Sequence, residues 1–376
     1  MKKHKLCLFL CAAGVFLYGL LFMVSACITG CAAAVPENGS NSKDRFINLM
    51  TWNIHNLFDG EDNGFEYDEF LESAGWSTEK YRGRVNAFCA AVGSIGVMPD
   101  IIMLEEIESI MIFQDIALSL NKGHEWSHFA INPGAALGVG ILSRFPLEAR
   151  AHSVTVDADT APRPVLEVRL RLDGEDIIVF VCHWKSKLGG DDVTERTRRA
   201  SARVIMRRIR ELRETEPNTG VITAGDLNEN HDEFYRRSGT IICALLPDDP
   251  YCAQLTGCIT NDGEFPFMQK DFIILGGNKP PEPLHFPQES VVLFSPWQDE
   301  LENGSYYYRN DWETIDHFLI SAQFFDNKGW EYEKTAVINF PPFANANGVP
   351  FSYNARTGLG LSDHFPLMMT LKMTSD

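Results

Sequence analysis

Positive charge is scarce in this chain. Its 376 residues carry 33 Lys and Arg against 51 Asp and Glu, a formal net charge of −18. A chain with that balance does not gather nucleic acid through its overall field, so a polyanionic substrate would require a local basic patch or a bound divalent cation. No Cys-x-x-Cys spacing is present, which removes the usual pattern of a zinc site. Internal repeats, coiled-coil heptads and a bundle of membrane spans are missing as well. What is present is an apolar content of 45% with 11% aromatics, enough to bury a large core as one sizeable domain or two small ones.

The front end has its own character. Lys2, Lys3 and Lys5 precede an apolar stretch from Leu6 to Val24, which reads as a secretory signal. Two tetrapeptides ending at Cys27 and Cys31 resemble the lipobox of bacterial lipoproteins, and Cys27 is favoured because the apolar run stops just before it. The alternative is an uncleaved membrane anchor, since the run is long enough to span a bilayer. The expected division is a signal over 1–27, a flexible tether over 28–44 and a catalytic domain over 45–376, with a loop-rich insertion around 230–305 that carries Pro280, Pro281, Pro283 and Pro287. An exported, lipid-tethered protein at the outer membrane or cell surface, or a secreted one, is the expectation, and a monomer. Outside the cytoplasm, Cys243, Cys252 and Cys258 offer one disulfide and a spare.

Short apolar runs recur along the domain, and many end in a polar group. The run Val221 to Asn228, VITAGDLN, delivers Asp226 and Asn228 two positions apart, so both are expected to face one way. Ile47 to Asn53 and Asp100 to Glu106 read as strands ending in Asn53 and in Glu105–Glu106. Ile177 to Cys182 leads into His183, Thr314 to Ile320 carries Asp316, and Asp363–His364 precede the last strand. Between them, Val85, Phe88, Val92 and Ile95 mark one helix and Thr194 to Leu212 another. Alternation of strand and helix indicates a layered α/β fold, in which strand ends converge on one rim.

Taken singly, each of these residues has an ordinary explanation as a turn, a solvated carboxylate or a satisfied core histidine. Together, Asn53, Glu106, His183, Asp226, Asn228, Asp316, Asp363 and His364 supply what phosphoester hydrolysis needs. A hard cation such as Mg²⁺ takes carboxylate oxygens and water. A histidine held by a carboxylate can accept a proton from water. Amides, a second histidine and a Lys or Arg can stabilise charge on the phosphorus centre.

The motifs TWN (Thr51 to Asn53), LEEI (Leu104 to Ile107), GILSR (Gly140 to Arg144), HWKSK (His183 to Lys187), GDLN (Gly225 to Asn228), ID (Ile315, Asp316) and SDH (Ser362 to His364) stand in the order of the endonuclease/exonuclease/phosphatase superfamily, which the chain resembles from about Asn48 to about Thr370. The resemblance implies a four-layer α/β sandwich, two mixed β-sheets packed face to face and flanked by helices. It implies Glu106 as principal metal carboxylate with Asn53 beside it, and Asp363 as a second acidic ligand or water-positioning group. His364 is implied as general base oriented by Asp316, Asp226 and Asn228 as the pair that positions the nucleophile and contacts the phosphate, and His183 as a group acting on the phosphate or the leaving oxygen. Arg163 and Lys185 are expected on the substrate, and Mg²⁺, or else Mn²⁺ or Ca²⁺, as cofactor. One departure stands out: Glu105 replaces the family's usual glutamine and is read as structural.

The leading expectation is an exported nuclease acting on nucleic acid. A phosphatase or a sphingomyelinase-like phospholipid phosphodiesterase is the alternative, which an exposed aromatic hairpin among Tyr306, Tyr307, Tyr308 and Trp312 would favour. A non-catalytic surface binding protein is the reading from a different class, and it is disfavoured because no expected site position has been replaced by an inert residue.

Overall fold

The computed structural model describes residues 45–156, 159–160, 163–257 and 271–374, so the leader, the tether, Cys27, Cys31 and Cys258 lie outside the described residues. Strand β1 (Phe46–Leu57) comes first, followed by α1 (Thr78–Gly93), β2 (Ile101–Ile107), α2 (Ile110–Leu120), β3 (Trp126–Ala130), β4 (Gly138–Ser143) and β5 (Leu147–His152). Two short strands, β6 (Thr155–Val156) and β7 (Asp159–Thr160), precede β8 (Val165–Leu172), β9 (Glu175–His183), α3 (Asp191–Thr215) and β10 (Gly220–Asp226). Then come α4 (Glu233–Arg236), β11 (Leu245–Pro247), α5 (Pro250–Leu255), β12 (Ile273–Gly276), β13 (Val292–Phe294), β14 (Tyr306–Tyr308), β15 (Asp311–Glu313), β16 (Asp316–Ile320), β17 (Trp330–Val337) and β18 (Leu367–Met373).

These strands form two large mixed sheets. A six-stranded sheet runs β17-β18-β1-β2-β4-β3 and an eight-stranded one runs β11-β12-β13-β16-β10-β9-β8-β5. In each, a parallel pair sits among antiparallel neighbours: β1 with β2, and β9 with β10. The inner faces meet in a core that joins Leu49, Met103, Ile141 and Met369 of the first sheet to Val181, Ile222, Ala224 and Phe318 of the second. On the outside of the first sheet, Trp52 and Leu104 pack against Val85 and Phe88 of α1 and Phe113 and Ile116 of α2. On the outside of the second, Ile178 and Phe180 pack against Ile205 and Ile209 of α3. The result is the four-layer α/β sandwich. Among the described residues, no helix is long and apolar enough to cross a membrane.

The period of two in each strand explains where the site falls. In β1, Ile47 and Leu49 face the inter-sheet core, and Thr51 and Asn53 continue the same column toward the rim. The same progression runs Ile101, Met103, Glu105 in β2, Ile177, Val179, Val181, His183 in β9, and Ile222, Ala224, Asp226 in β10. In β16 it runs outward from Ile320 through Phe318 to Asp316. Register fixes the meeting point, because Asp226 lies opposite both His183 and Asp316.

The segment 230–305 differs from a plain loop. It adds β11, β12 and β13 in parallel array to the edge of the second sheet. These strands are three or four residues long and buried throughout, so neither alternation nor length marks them in the sequence. Cys243 is a buried free thiol, and of the pairings open to Cys243, Cys252 and Cys258, those that use Cys258 fall outside the described residues.

Candidate active site

Backbone irregularities re-aim the ends of β1 and β2. Both strand pairings shift register there, between Asn53 and Leu57 and between Glu105 and Ile107. His55, Asn56 and Glu106 all take left-handed backbone, with φ of 56°, 58° and 63°. This is a costly conformation for residues with a Cβ, and surrounding contacts must impose it. The main one is Arg84, a buried residue on the core face of α1, whose guanidinium donates to the carbonyls of Ile54 (2.5 Å), His55 and Asn56 (2.5 Å). So held, the Asn56 N–H donates to Glu106 Oε2 at 2.8 Å.

Asn53 then ties two carboxylates together. Its amide nitrogen donates to Asp226 Oδ2 (3.0 Å) and to Glu106 Oε1 (3.2 Å), and its oxygen accepts the His55 N–H at 3.0 Å. His183 approaches the same pair, with Nε2 at 3.4 Å from Asp226 and 3.7 Å from Glu106. Burial, joined by the positive charges of Arg163 and His364, holds that imidazole well below its ordinary value, so it faces the cleft neutral.

Asp226 is set by the turn that follows it. Gly225 sits at φ 123° with no room for a Cβ against the Cys182 carbonyl, which lets β9 and β10 close tightly at their ends. Asn228 leaves the strand in left-handed conformation at φ 51°, so it does not share a strand face with Asp226 as the spacing suggests. Instead its N–H donates to Asp226 Oδ1 at 2.8 Å and its amide donates to Trp184 O at 3.1 Å. Burial pushes the Asp226 carboxyl up to about 7, against the pull of the His364 charge and with the Asp316 charge adding.

Facing this group is a buried pair. His364 Nδ1 lies 2.8 Å from Asp316 Oδ2, which also accepts the Ser305 hydroxyl at 2.6 Å. Burial opposes charge on His364, but Asp316, Asp363 and Asp226 raise its affinity for a proton well above the ordinary value. With Nδ1 occupied, Nε2 is the nitrogen left to exchange protons with the cleft. Asp363 stands 4.0 Å from that nitrogen and 3.6 Å from His55 Nδ1. These contacts place Asp363 beside His364, in the cleft that Glu106 also lines.

The remaining expected residues divide. Arg163 lines the cleft, donates to the Trp184 carbonyl and is drawn to the charges of Glu106 and Asp226. Lys185 does not line the cleft wall, though its charge reaches His183 and Arg163; its Nζ turns back to Ser186 Oγ and Leu188 O, each at 3.4 Å. Lys187 does line it, but Glu233 (2.6 Å) and Glu313 (3.2 Å) bind its ammonium. Glu105 is fully buried, accepts the Thr51 hydroxyl at 3.0 Å, and is pushed well above the usual carboxylate range by burial and by Asp316. His55, Arg84 and Ser305 are additions that the strand-end pattern does not reveal. Only Arg84 leaves a trace in the sequence, as an arginine in the apolar spacing Tyr81, Arg84, Val85, Phe88.

A divalent cation fits this donor set. Oxygens of Glu106 and Asp226 converge on one amide, oxygen is the main donor type, and ligand atoms of Asp226, Asp316 and His364 lie within 4.8 Å of one another. A second cluster within that distance, Glu195, Glu229 and Cys243, is already filled by the Arg198 guanidinium, which donates to both carboxylates.

Converging carboxylates, a carboxylate-held histidine and a cleft of ≈ 750 Å³ at the rim of a four-layer sandwich define a hydrolase of phosphoester bonds. The chain belongs to the Endonuclease/Exonuclease/phosphatase family, whose sequence model matches residues 48–239. No curated protein matches it. Similar solved structures include an endonuclease/exonuclease/phosphatase family protein from Bacteroides thetaiotaomicron, at 14% identity over 89% of this chain and 100% of that one, TM-score 0.48. The human nocturnin catalytic domain with bound sulfate is similar at 13% identity over 88% and 98%, TM-score 0.48. The mannosyl-6-phosphatase Bt3783 of Bacteroides thetaiotaomicron is similar at 14% identity over 86% and 99%, TM-score 0.48.

Proposed function

We propose that the protein is an exported, Mg²⁺-dependent phosphodiesterase that cleaves nucleic acid. The observation that carries the diester over the monoester is the charge around the Glu106–Asp226 pair. Arg163 is the guanidinium drawn to those two carboxylates, while Lys185 and Lys187 are turned away or neutralised. A monoester dianion would bring a second negative charge to a place already rich in carboxylates, and a diester brings only one.

Glu106, with Asn53 and Asp226, would hold the cation, which supplies Lewis-acid neutralisation of the phosphate. Asp316 fixes the tautomer of His364, whose Nε2 takes the proton of the attacking water from the unprotonated form that the surrounding carboxylates disfavour, and Asp363 positions that water. Asn228, His183 and Arg163 hydrogen-bond the phosphoryl oxygens. Export and tethering rest on the basic, apolar and Cys27/Cys31 pattern of the first residues.

The test is a panel assay of soluble protein spanning 32–376, with Mg²⁺ or with chelator, on single-stranded DNA, plasmid DNA, sphingomyelin and a sugar phosphate. Mg²⁺-dependent cleavage of DNA in at least one of the two forms is expected. Inert DNA of both forms beside a cleaved lipid or monoester would replace this reading with the phospholipase or phosphatase one. Separately, the full chain should incorporate labelled palmitate in a bacterial host and lose it on Cys27→Ala.

A further inference from the structure

The hairpin β14–β15 turns through Arg309 and Asn310, both in left-handed conformation, the signature of a tight two-residue turn. Its two faces do different things. Tyr307 packs on Trp312 with ring centroids 5.0 Å apart, and Trp312 stacks on Phe365 at 5.9 Å, so this face is consumed by the core. Tyr306 and Tyr308, two positions apart, share the opposite face and line the cleft.

There they form a ladder leading away from the reacting centre. The Tyr306 ring lies over the His364 ring at 4.6 Å, and Tyr308 stacks on Tyr306 at 6.1 Å with planes only 17° apart. The Arg309 guanidinium covers Tyr308 at 5.1 Å, and 47% of Tyr308 is exposed. The root of the ladder is fixed, because Tyr306 bridges to His364 through the backbone and Phe365 N–H donates to Ser305 O at 2.7 Å. The parallel pair lines the cleft beside the proposed base, half-buried at Tyr306 and exposed at Tyr308, where only the Arg309 side chain covers it. The tip around it is Arg309, Asn310 and Asp311, so the hairpin is not the exposed aromatic tip that would favour a lipid.

We propose that Tyr308, backed by Tyr306, is a stacking platform for an unpaired nucleobase next to the scissile phosphate, the base taking the place of the Arg309 side chain on the ring, which makes single-stranded nucleic acid the substrate class. In a duplex both faces of each base are already occupied by neighbours, whereas a single strand can splay a base onto a tyrosine. Every base has a π-face, so the platform is indifferent to sequence. The inference rests on the phosphodiesterase reading above and adds the form of the substrate.

The experiment compares a short all-thymidine oligonucleotide with the same backbone carrying abasic deoxyribose analogues, in Mg²⁺, for wild type, Tyr308→Ala and Tyr308→Trp. Tyr308 sits at an exposed turn, and circular dichroism checks that each variant folds. Wild type should favour the base-bearing strand by about tenfold in kcat/KM, mainly through KM. Tyr308→Ala should collapse that ratio toward one, and Tyr308→Trp should retain it. Equal cleavage of both strands by wild type, or a ratio untouched in Tyr308→Ala, would overturn the platform while leaving the nuclease reading in place. Cleavage of neither strand would sink the nuclease reading and the inference with it.

Discussion

Replacing Arg84 with methionine should damage the site far more than it damages the fold. The guanidinium donates to three carbonyls, those of Ile54, His55 and Asn56. Hydrogen bonds from a charged donor are each worth about 1.5–3 kcal/mol net, which would suggest a large loss. Two corrections shrink it. The bonds to His55 and Asn56 are only part-buried, so water is expected to take over at their carbonyls, and the Ile54 carbonyl is the one left in buried surroundings. Burial also lowers the Arg84 pKa to about 10 even with Tyr353, Glu106 and Asp363 pulling it up, a net cost of roughly 3 kcal/mol that methionine does not bear. The net change in unfolding free energy should therefore stay within about 2 kcal/mol. The bulge, however, loses what holds it left-handed, and the Asn56 N–H no longer fixes Glu106. Groups that orient metal ligands in this way typically change affinity or activity about 10- to 100-fold. The assay is urea unfolding alongside a Mg²⁺ titration of phosphodiesterase activity. A Mg²⁺ dependence equal to wild type in a folded Arg84→Met protein would refute the claim that the bulge places Glu106.

Four further outcomes follow from the same contacts. Ser305→Ala removes one of two donors to Asp316 Oδ2 and should lower kcat/KM about tenfold, whereas Ser295→Ala, which deletes a buried hydroxyl with no partner, should leave it within about twofold. Gly225→Ala would force a Cβ into the Cys182 carbonyl at a φ closed to alanine, so expression of a folded protein should fail or activity should vanish; an active, stable variant would contradict the tight closure of β9 on β10. Arg198→Met strands Glu195 and Glu229 without the guanidinium that bonds both, and should cost roughly 3–5 kcal/mol in urea unfolding. Glu167 accepts from Arg208 at 2.8 and 2.9 Å and from His152 at 2.6 Å, partners that outweigh its burial and hold it at about 2 against an ordinary 4.5. A carboxyl held low stabilises fully above its unfolded value, so the deficit of Glu167→Gln should be constant above about pH 5 and fade between 4.5 and 2; a deficit that grows on acidification would reverse the assignment.

The strand ends were legible because one periodicity serves two purposes. The column that buries Ile47 and Leu49 also aims Asn53, and the column of Ile222 and Ala224 aims Asp226, so reading the core reads the rim. The long helix α3 was legible for a similar reason, with Ile205 and Ile209 buried under a basic outer face. Left-handed residues escape such a reading. His55, Asn56, Glu106 and Asn228 break the period where the site needs them to, and nothing in their identity announces it. Lys185 illustrates the converse: its type suggested phosphate contact, but the loop folds its ammonium onto Leu188 O. Ser305 lies in a polar stretch with no period at all, and its partner Asp316 is eleven residues away across a hairpin.

That hairpin carries a consequence for how such an enzyme could diversify. Its stem is bonded to His364 and Asp316, the proposed base and its partner, while its apex carries Tyr308 and Arg309 along the cleft wall. On the proposed roles, recognition and chemistry share one lever with a fixed fulcrum and an editable tip. Apex changes can retune what is held without disturbing the reacting groups, and stem changes cannot.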